Sequence, residues 1–313
     1  MPAVAVIMPV HNRAATVLRA IDSVLGQDFA DFELIVVDDG STDGSPVIVG
    51  SVQDTRVTLF QSEINQGSNA ARNRGIKAAI APLIAFLDSD DVYLPHKLGF
   101  VVRTFEARPE LHVLVDSFTK EFPAGDGRKP AKRQNPVIDT TDDFVRALFS
   151  RRLWKATSAI TVRRETAIRA GLFDETLKRR QDFDFLYRAS KVGRCASTDE
   201  ILWVKSWTPG CISDDLGTFA GATIELCRRH PAYFANRSFR AGLARDIARH
   251  FVRLIAARRF ADIGRDARAF AREFGWPGLV RLTLAGLWEM LARNLSPRRV
   301  SPPFRGQPSA RPK

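Results

Sequence analysis

The chain has 313 residues, 45% apolar and 26% charged, proportions ordinary for a globular protein and enough for one large α/β domain with a helical appendage. Its formal net charge of +12 is uneven: residues 1–216 hold 28 Lys and Arg against 29 Asp and Glu, whereas residues 217–313 hold 19 against 6, nearly all of them Arg. The three cysteines (Cys195, Cys211, Cys227) are odd in number and match no zinc spacing, so free thiols are expected rather than a disulfide framework. The N-terminus lacks the pattern of a secretory signal, and no run of 18 apolar residues occurs, so no spanning helix is expected and the expected compartment is the cytoplasm.

In chain order, Val4 to Met8 predicts a short buried strand. Asn12 is a candidate N-cap for a helix with Ala14, Val17, Leu18, Ile21, Val24 and Leu25 on one face. Phe32 to Val37 is a second buried strand, ending in Asp38, Asp39, Gly40 and Ser41. A helix over 42–52 and another that follows a turn at Asn65 to Ser68 and runs to about Ala79 flank a third strand, Val57 to Gln61. A fourth strand, Leu83 to Leu87, stops abruptly at Asp88, Asp90 and Asp91. This alternation predicts a doubly wound, mostly parallel sheet. Further on, a helix follows Pro95, a strand spans Leu111 to Phe118, and Glu121 to Pro136 reads as a mobile loop. Helices are expected over 139–149, 165–170 and 182–192, and strands over 158–162 and 201–207.

Open α/β sheets bind ligands beyond the carboxyl ends of their strands. Three such ends carry polar residues here: Pro9-Val10-His11-Asn12, Asp38-Asp39 and Asp88-Ser89-Asp90-Asp91. Neighbouring carboxylates repel unless a cation is present, and hard oxygen ligands on one turn suit Mg²⁺ or Mn²⁺ carrying a substrate phosphate. The bland alternatives are turn chemistry for Asp38 and Asp39 and helix capping for the later acids.

The segments VIMPVHNR, FELIVVDDGSTDGS, NQGSNAARNRGI and IAFLDSDDVYLP together resemble the family two inverting glycosyltransferases, with weaker matches at AGLFDE (Ala170 to Glu175) and QDFDFLYR (Gln181 to Arg188). The resemblance implies a GT-A fold over residues 1–215, with a nucleotide-sugar half to about 110 and an acceptor half over 111–215. It implies a nucleoside-diphosphate sugar donor, with a UDP-sugar in first place, a divalent metal, and a glycan or lipid-linked acceptor. Pro9, His11 and Asn12 then border the nucleotide, although His11 stands where Tyr is commoner. Asp39 meets the base, and Asp38 holds the ribose or the local turn. Arg72 lies near the donor phosphates or the metal-site acids, or else is a helix-surface Arg paired with an acid. Asp88 and Asp90 match the DxD motif, with Asp90 the direct metal ligand. Asp182 matches the general base, unless it is only an N-cap; Gln181 replaces the usual preceding Glu, which removes a negative charge beside it.

Two rivals remain at the level of sequence. A nucleotidyltransferase also uses strand-end acids and a metal, but wants a Gly-rich basic loop where this chain has PVHNRAAT. A non-catalytic sugar-nucleotide or membrane-binding protein could keep the same fold. Residues 216–296 read as a helical, Arg-rich extension and 297–313 as a disordered tail. The stripe in 278–295 fits either an anionic membrane interface on the inner face of the plasma membrane or packing on the catalytic domain; nucleic-acid binding ranks last because no reader motif accompanies the charge.

Overall fold

A computed structural model of the protein describes residues 1–123, 125–207, 215–234 and 236–295. The expected tail at 297–313 and Cys211 lie outside the described residues; Cys195 and Cys227 are buried free thiols. The first half runs β1 (Val4–Val10), α1 (Val17–Leu25), β2 (Phe32–Asp39), α2 (Ser45–Gly50), β3 (Val57–Ser62), α3 (Ser68–Ala78) and β4 (Leu83–Phe86). Then follow β5 (Val92–Tyr93), α4 (Lys97–Ala107), β6 (Leu111–Glu121), β7 (Ala131–Arg133), α5 (Thr141–Phe149), β8 (Ile160–Arg163), α6 (Arg164–Arg169), α7 (Gln181–Ala189) and β9 (Arg194–Ser206). The extension holds α8 (Phe219–Arg229), α9 (Arg237–Ala256), α10 (Phe260–Phe274) and α11 (Trp276–Leu295).

The described strands form one mixed sheet in the order β3-β2-β1-β4-β8-β6-β9-β5, with β7 on β6. All but β5, β7 and β8 run in the same direction. Every residue of β1 and β4 is buried, as expected for parallel strands covered on both faces. β1 sits between β2 and β4, so the connections leave it in opposite senses, and a crevice opens at the carboxyl ends of these three strands.

Three local expectations are corrected. Asn12 is no N-cap: α1 starts at Val17 behind Thr16, and Asn12 is left-handed (φ 52°), accepting Thr42 N–H on its Oδ1 (2.8 Å). Asn and Asp tolerate this conformation, and the side chain ties two strand-end loops together. The loop over 121–136 contains β7, because the end of β6 offers it a free edge. The late strand begins at Arg194 rather than 201, since β9 pairs along β6 over several bulges. The two-residue β5, too short for a periodicity signal, went unread.

The extension packs against the body of the protein. Phe239 of α9 stacks on Phe149 of α5 (4.4 Å), and Tyr233 stacks on Phe183 of α7 (5.4 Å). Gly242 lets α9 approach so closely that a Cβ there would collide with the Phe149 carbonyl oxygen, and Gly286 does the same for α11 against Ala244. The inner face of α11 is therefore committed to α9, while Trp276, Val280, Leu284, Trp288 and Leu291 remain exposed on its outer face.

Candidate active site

A cleft of about 710 Å³ lies at the carboxyl ends of β1, β2 and β4. Pro9, His11, Asn12, Asp39, Arg72, Asp88, Asp90 and Asp182 all line it. Carboxylates separated by more than a hundred residues in the chain thus face a common space.

The β1 and β2 ends are stitched together. The Asn12 N–H donates to Ser41 Oγ (2.9 Å), and a His11 ring nitrogen meets the Asp39 carbonyl (2.9 Å). Gly40 turns the chain with φ 69°, and an added Cβ would lie 2.7 Å from the Ile64 backbone, so the turn after Asp39 requires glycine. Asp39 accepts N–H groups from Gln66 (2.9 Å) and Gly67 (2.7 Å), one on each oxygen. Its carboxylate is thereby fixed at the cleft wall with a lone-pair direction left on each oxygen. Asp38 differs: it is buried, does not line the cleft, and accepts Ser41 N–H on Oδ2 (3.1 Å). Of the two expected roles, ribose contact or local turn, this hydrogen bond fits the second, because alternation along β2 sends adjacent side chains to opposite faces. Asp38 holds the turn that presents Asp39.

The DxD turn divides its three acids. Arg72 of α3, buried rather than on the helix surface, donates to Asp88 Oδ1 (2.7 Å). Burial alone would raise the Asp88 carboxyl, but Arg72, Lys205 and Arg13 outweigh it and hold the group below the usual carboxylate range. Asp91 is fully buried, accepting Ser158 Oγ–H (2.7 Å) and Ser206 N–H (3.2 Å). Burial, reinforced by Asp88 and Asp90, pushes it up to about 7 against the pull of Lys205. Asp91 braces the turn, which leaves Asp88 and Asp90 facing the cleft. Among the described residues no group of three His, Cys, Asp or Glu forms a ready metal cage. Two carboxylates beside room for phosphate oxygens and water nevertheless suit Mg²⁺ or Mn²⁺ that arrives with a phosphate.

Below the turn lies a buried ion pair that the sequence reading missed. Lys97 Nζ donates to Asp116 Oδ2 (2.5 Å) and to the Ser158 carbonyl (3.1 Å), and both charged side chains are 0% exposed. Ser158 Oγ in turn accepts the Asp88 N–H (3.1 Å). The signal was present, since Asp116 interrupts the apolar run LHVLVDSF and Lys97 opens an apolar helix.

The opposite wall of the cleft is built by contacts distant in sequence. Asn69 of α3 donates to the carbonyls of Asp174 and Leu177 (2.8 Å each), and Asn73 donates to that of Phe173 (2.8 Å). The motif NAARNRG therefore clamps the AGLFDE turn ahead of α7. Phe173 stacks on Phe185 (4.3 Å), which seats α7 in the core and turns Asp182 to the cleft. Asp182 is a first-turn residue, not an N-cap, as Arg180 occupies that position. Its Oδ1 accepts Phe183 N–H (2.8 Å) and its Oδ2 accepts Lys155 Nζ–H (3.3 Å). Asp184 points inward to His230 (2.8 Å) and Arg188 (2.6 Å).

The sequence reading also missed Arg151, Lys155, Arg179, Arg180 and Lys205, together with Phe219 and Asp246 from the extension, all of which line the cleft. Isolated Arg and Lys residues carry no periodicity or motif, and only the docking of α8 and α9 brings the last two here.

Comparison with known proteins gives the same picture at family level. The chain is 40% identical over 107 residues to the succinoglycan biosynthesis protein ExoO of Rhizobium meliloti, covering 34% of this chain and 31% of that protein. It is 42% identical over 95 residues to the Escherichia coli UDP-Glc:alpha-D-GlcNAc-diphosphoundecaprenol beta-1,3-glucosyltransferase WfgD, covering 30% and 38%. The matched part spans about a third of the length of the first curated relatives. The structure of S. aureus TarS 1-349 in complex with UDP-GlcNAc superimposes with a TM-score of 0.65 at 20% identity, covering 96% of this chain and 93% of that one. That likeness spans the GT-A-type body and the helical extension alike. The model of Glycosyl transferase family 2 matches residues 5–174, from β1 past α6 and more than half of the chain, and the protein belongs to that family.

Proposed function

We infer that the protein transfers a sugar from a nucleoside-diphosphate sugar, a UDP-sugar in first place, to a hydroxyl of a glycan or lipid-linked acceptor, with inversion, in the synthesis of a cell-surface polysaccharide. The observation that carries this reading is the convergence of Asp39, Asp88, Asp90 and Asp182 on one cleft. The family assignment supports it, as do the UDP-GlcNAc held by TarS and the lipid diphosphate named for WfgD.

In this reading Asp39 accepts the imide N–H of the base, and Pro9, His11 and Asn12 border the nucleotide. Arg13, Arg72 and Lys205 set a positive field around the diphosphate. Mg²⁺ or Mn²⁺ bound by Asp88 and Asp90 would neutralise charge on the departing nucleoside diphosphate. Asp182 takes the proton of the acceptor hydroxyl as its oxygen attacks the anomeric carbon in line with the leaving oxygen. Lys155 and the Phe183 N–H hold the Asp182 carboxylate in place for that transfer.

Thermal shift tests the donor half. UDP should raise the melting temperature only with Mg²⁺ or Mn²⁺ present, and Asp90→Asn should remove most of the metal-dependent part while leaving the metal-free melting temperature unchanged. A response to nucleoside triphosphates and none to UDP would favour a nucleotidyltransferase instead.

The extension supports contact with an anionic membrane surface from the cytoplasmic side. The outer face of α11 exposes Trp288 (72%), Leu284 (61%) and Leu291 (58%), with Arg281 exposed at its border and Arg268 and Arg272 of α10 beside Trp276. An apolar stripe with basic edges matches an acyl boundary under anionic headgroups. No described helix is long and apolar enough to cross a membrane. At low salt the protein should sediment with vesicles containing phosphatidylglycerol, and Leu284→Glu with Trp288→Glu should abolish this. Sedimentation of the double variant at the wild-type level would refute the assignment.

A further inference from the structure

The cleft carries two separate groups of cations. Arg13, Arg72 and Lys205 act on Asp88 at the strand ends. Arg151, Lys155 and Arg180 act on Asp246, with Arg179 crowding Arg180. The second group is built from the segment after α5, the residues before α7, and α9 of the extension.

Its charges do not balance. Arg151 Nη2 (2.7 Å) and Arg180 Nη1 (3.1 Å) share the single carboxylate of Asp246, and Lys155 reaches Asp182 (3.3 Å). Three cations, Arg151, Lys155 and Arg180, thus stand against two acids, one of which is the base of the proposed reaction. The side chains are half-enclosed: Arg180 is 9%, Lys155 12% and Arg151 14% exposed. The Nε–H groups of both Arg151 and Arg180 are buried without an acceptor, so the protein leaves each guanidinium incompletely satisfied. Burial pushes the Lys155 ammonium down from its ordinary value, Asp182 and Asp246 pull it up, and Arg151 and Arg180 add to the depression. A neutral sugar would leave this repulsion uncompensated. An anion would relieve it, and two guanidiniums with an ammonium suit the several oxygens of a phosphate.

We propose that Arg151, Lys155 and Arg180 form a phosphate subsite beside Asp182, distinct from the donor diphosphate site, so that the acceptor is a phosphate-bearing glycan or lipid. This rests on the glycosyl-transfer reading and specifies its acceptor. Asp246 is the resident counter-ion of this subsite. By supplying it, the extension becomes part of acceptor recognition rather than a separate appendage.

The test titrates inorganic phosphate into the full chain by calorimetry, with and without saturating UDP and Mg²⁺, using acetate at equal ionic strength as control. Phosphate should bind whether or not UDP is present, acetate should not, and the wild-type comparison needs no variant. Arg180→Gln and Arg151→Gln should each weaken phosphate at least about tenfold while UDP affinity stays within about twofold, because two cations remain and the strand-end group is untouched. Displacement of phosphate by UDP would overturn the proposal by placing both in the donor subsite. No binding to the UDP-loaded protein, or equal binding of acetate, would overturn it as well. UDP binding with no added phosphate site defeats this inference alone, whereas failure of UDP itself to bind defeats the proposed function and this subsite with it.

Discussion

Asp182→Asn should lower the transfer rate by about 10²–10⁴-fold, the range for removing a general base, while leaving UDP affinity and melting temperature close to wild type. The structure gives the reason for a kinetic effect without a structural one. Asp182 lies at the start of α7, facing the cleft, and its protein partners are Lys155 and the adjacent Phe183 N–H. Of the other four acids lining the cleft, Asp90 belongs to the proposed metal site and three are engaged elsewhere. Asp39 is held by Gln66 and Gly67, Asp88 by Arg72, and Asp246 by two guanidiniums. Asp184→Asn is the control, for it faces the interior and bonds His230 and Arg188, so its loss should appear in stability. Single-turnover rates, with donor binding measured separately, make the distinction. If Asp182→Asn retained more than about a tenth of the wild-type rate, another group would be the base. A non-catalytic protein would show no turnover to lose.

Lys97→Met should destabilise the fold by about 3–5 kcal/mol, the largest stability effect expected of a single change here. It leaves Asp116 as a lone charge in a site with no access to water. Burial, countered in part by Lys97, already pushes the Asp116 carboxyl up to about 6, and removing the lysine raises it further. The sign follows from proton binding. With a folded value above the unfolded one, the folded variant holds a proton that the unfolded chain has released, so stability falls as pH rises between the two values. The deficit should therefore be greatest near pH 8 and shrink towards pH 5. Lys97→Met with Asp116→Leu should regain most of the loss, since an apolar pair leaves no buried charge. Chemical denaturation at the two pH values reads all three quantities. A deficit below about 1 kcal/mol, or one independent of pH, would show that water reaches the pair. The function at stake is the DxD turn, because Lys97 fixes the Ser158 carbonyl while the Ser158 hydroxyl spans Asp91 and the Asp88 N–H.

Much of this molecule was legible in one dimension. The runs VAVIM, FELIVV and LIAFL are buried strands because a sheet covered on both faces needs unbroken apolar residues. Each ends where the acids or Pro9-His11-Asn12 begin, so parallel pairing alone brings them to one edge. Asp39, Asp88 and Asp90 were found that way, Asp182 only through the resemblance of QDFDFLYR to the family, and all four line the cleft. A finer assignment failed where one residue had two local uses. Asn12 served a left-handed turn instead of a cap, whereas of the two uses open to Asp38 the local turn is the one its hydrogen bond fits.

The sequence by itself determined the doubly wound sheet, the polar strand ends and the basic character of the last third, because each depends on neighbours within a few positions. Tertiary structure alone decided which Lys and Arg gather around Asp182 and that α9 sends Asp246 into the cleft. Those outcomes depend on desolvation and Coulomb interaction between groups far apart in the chain, and such energies are fixed only once packing sets the distances.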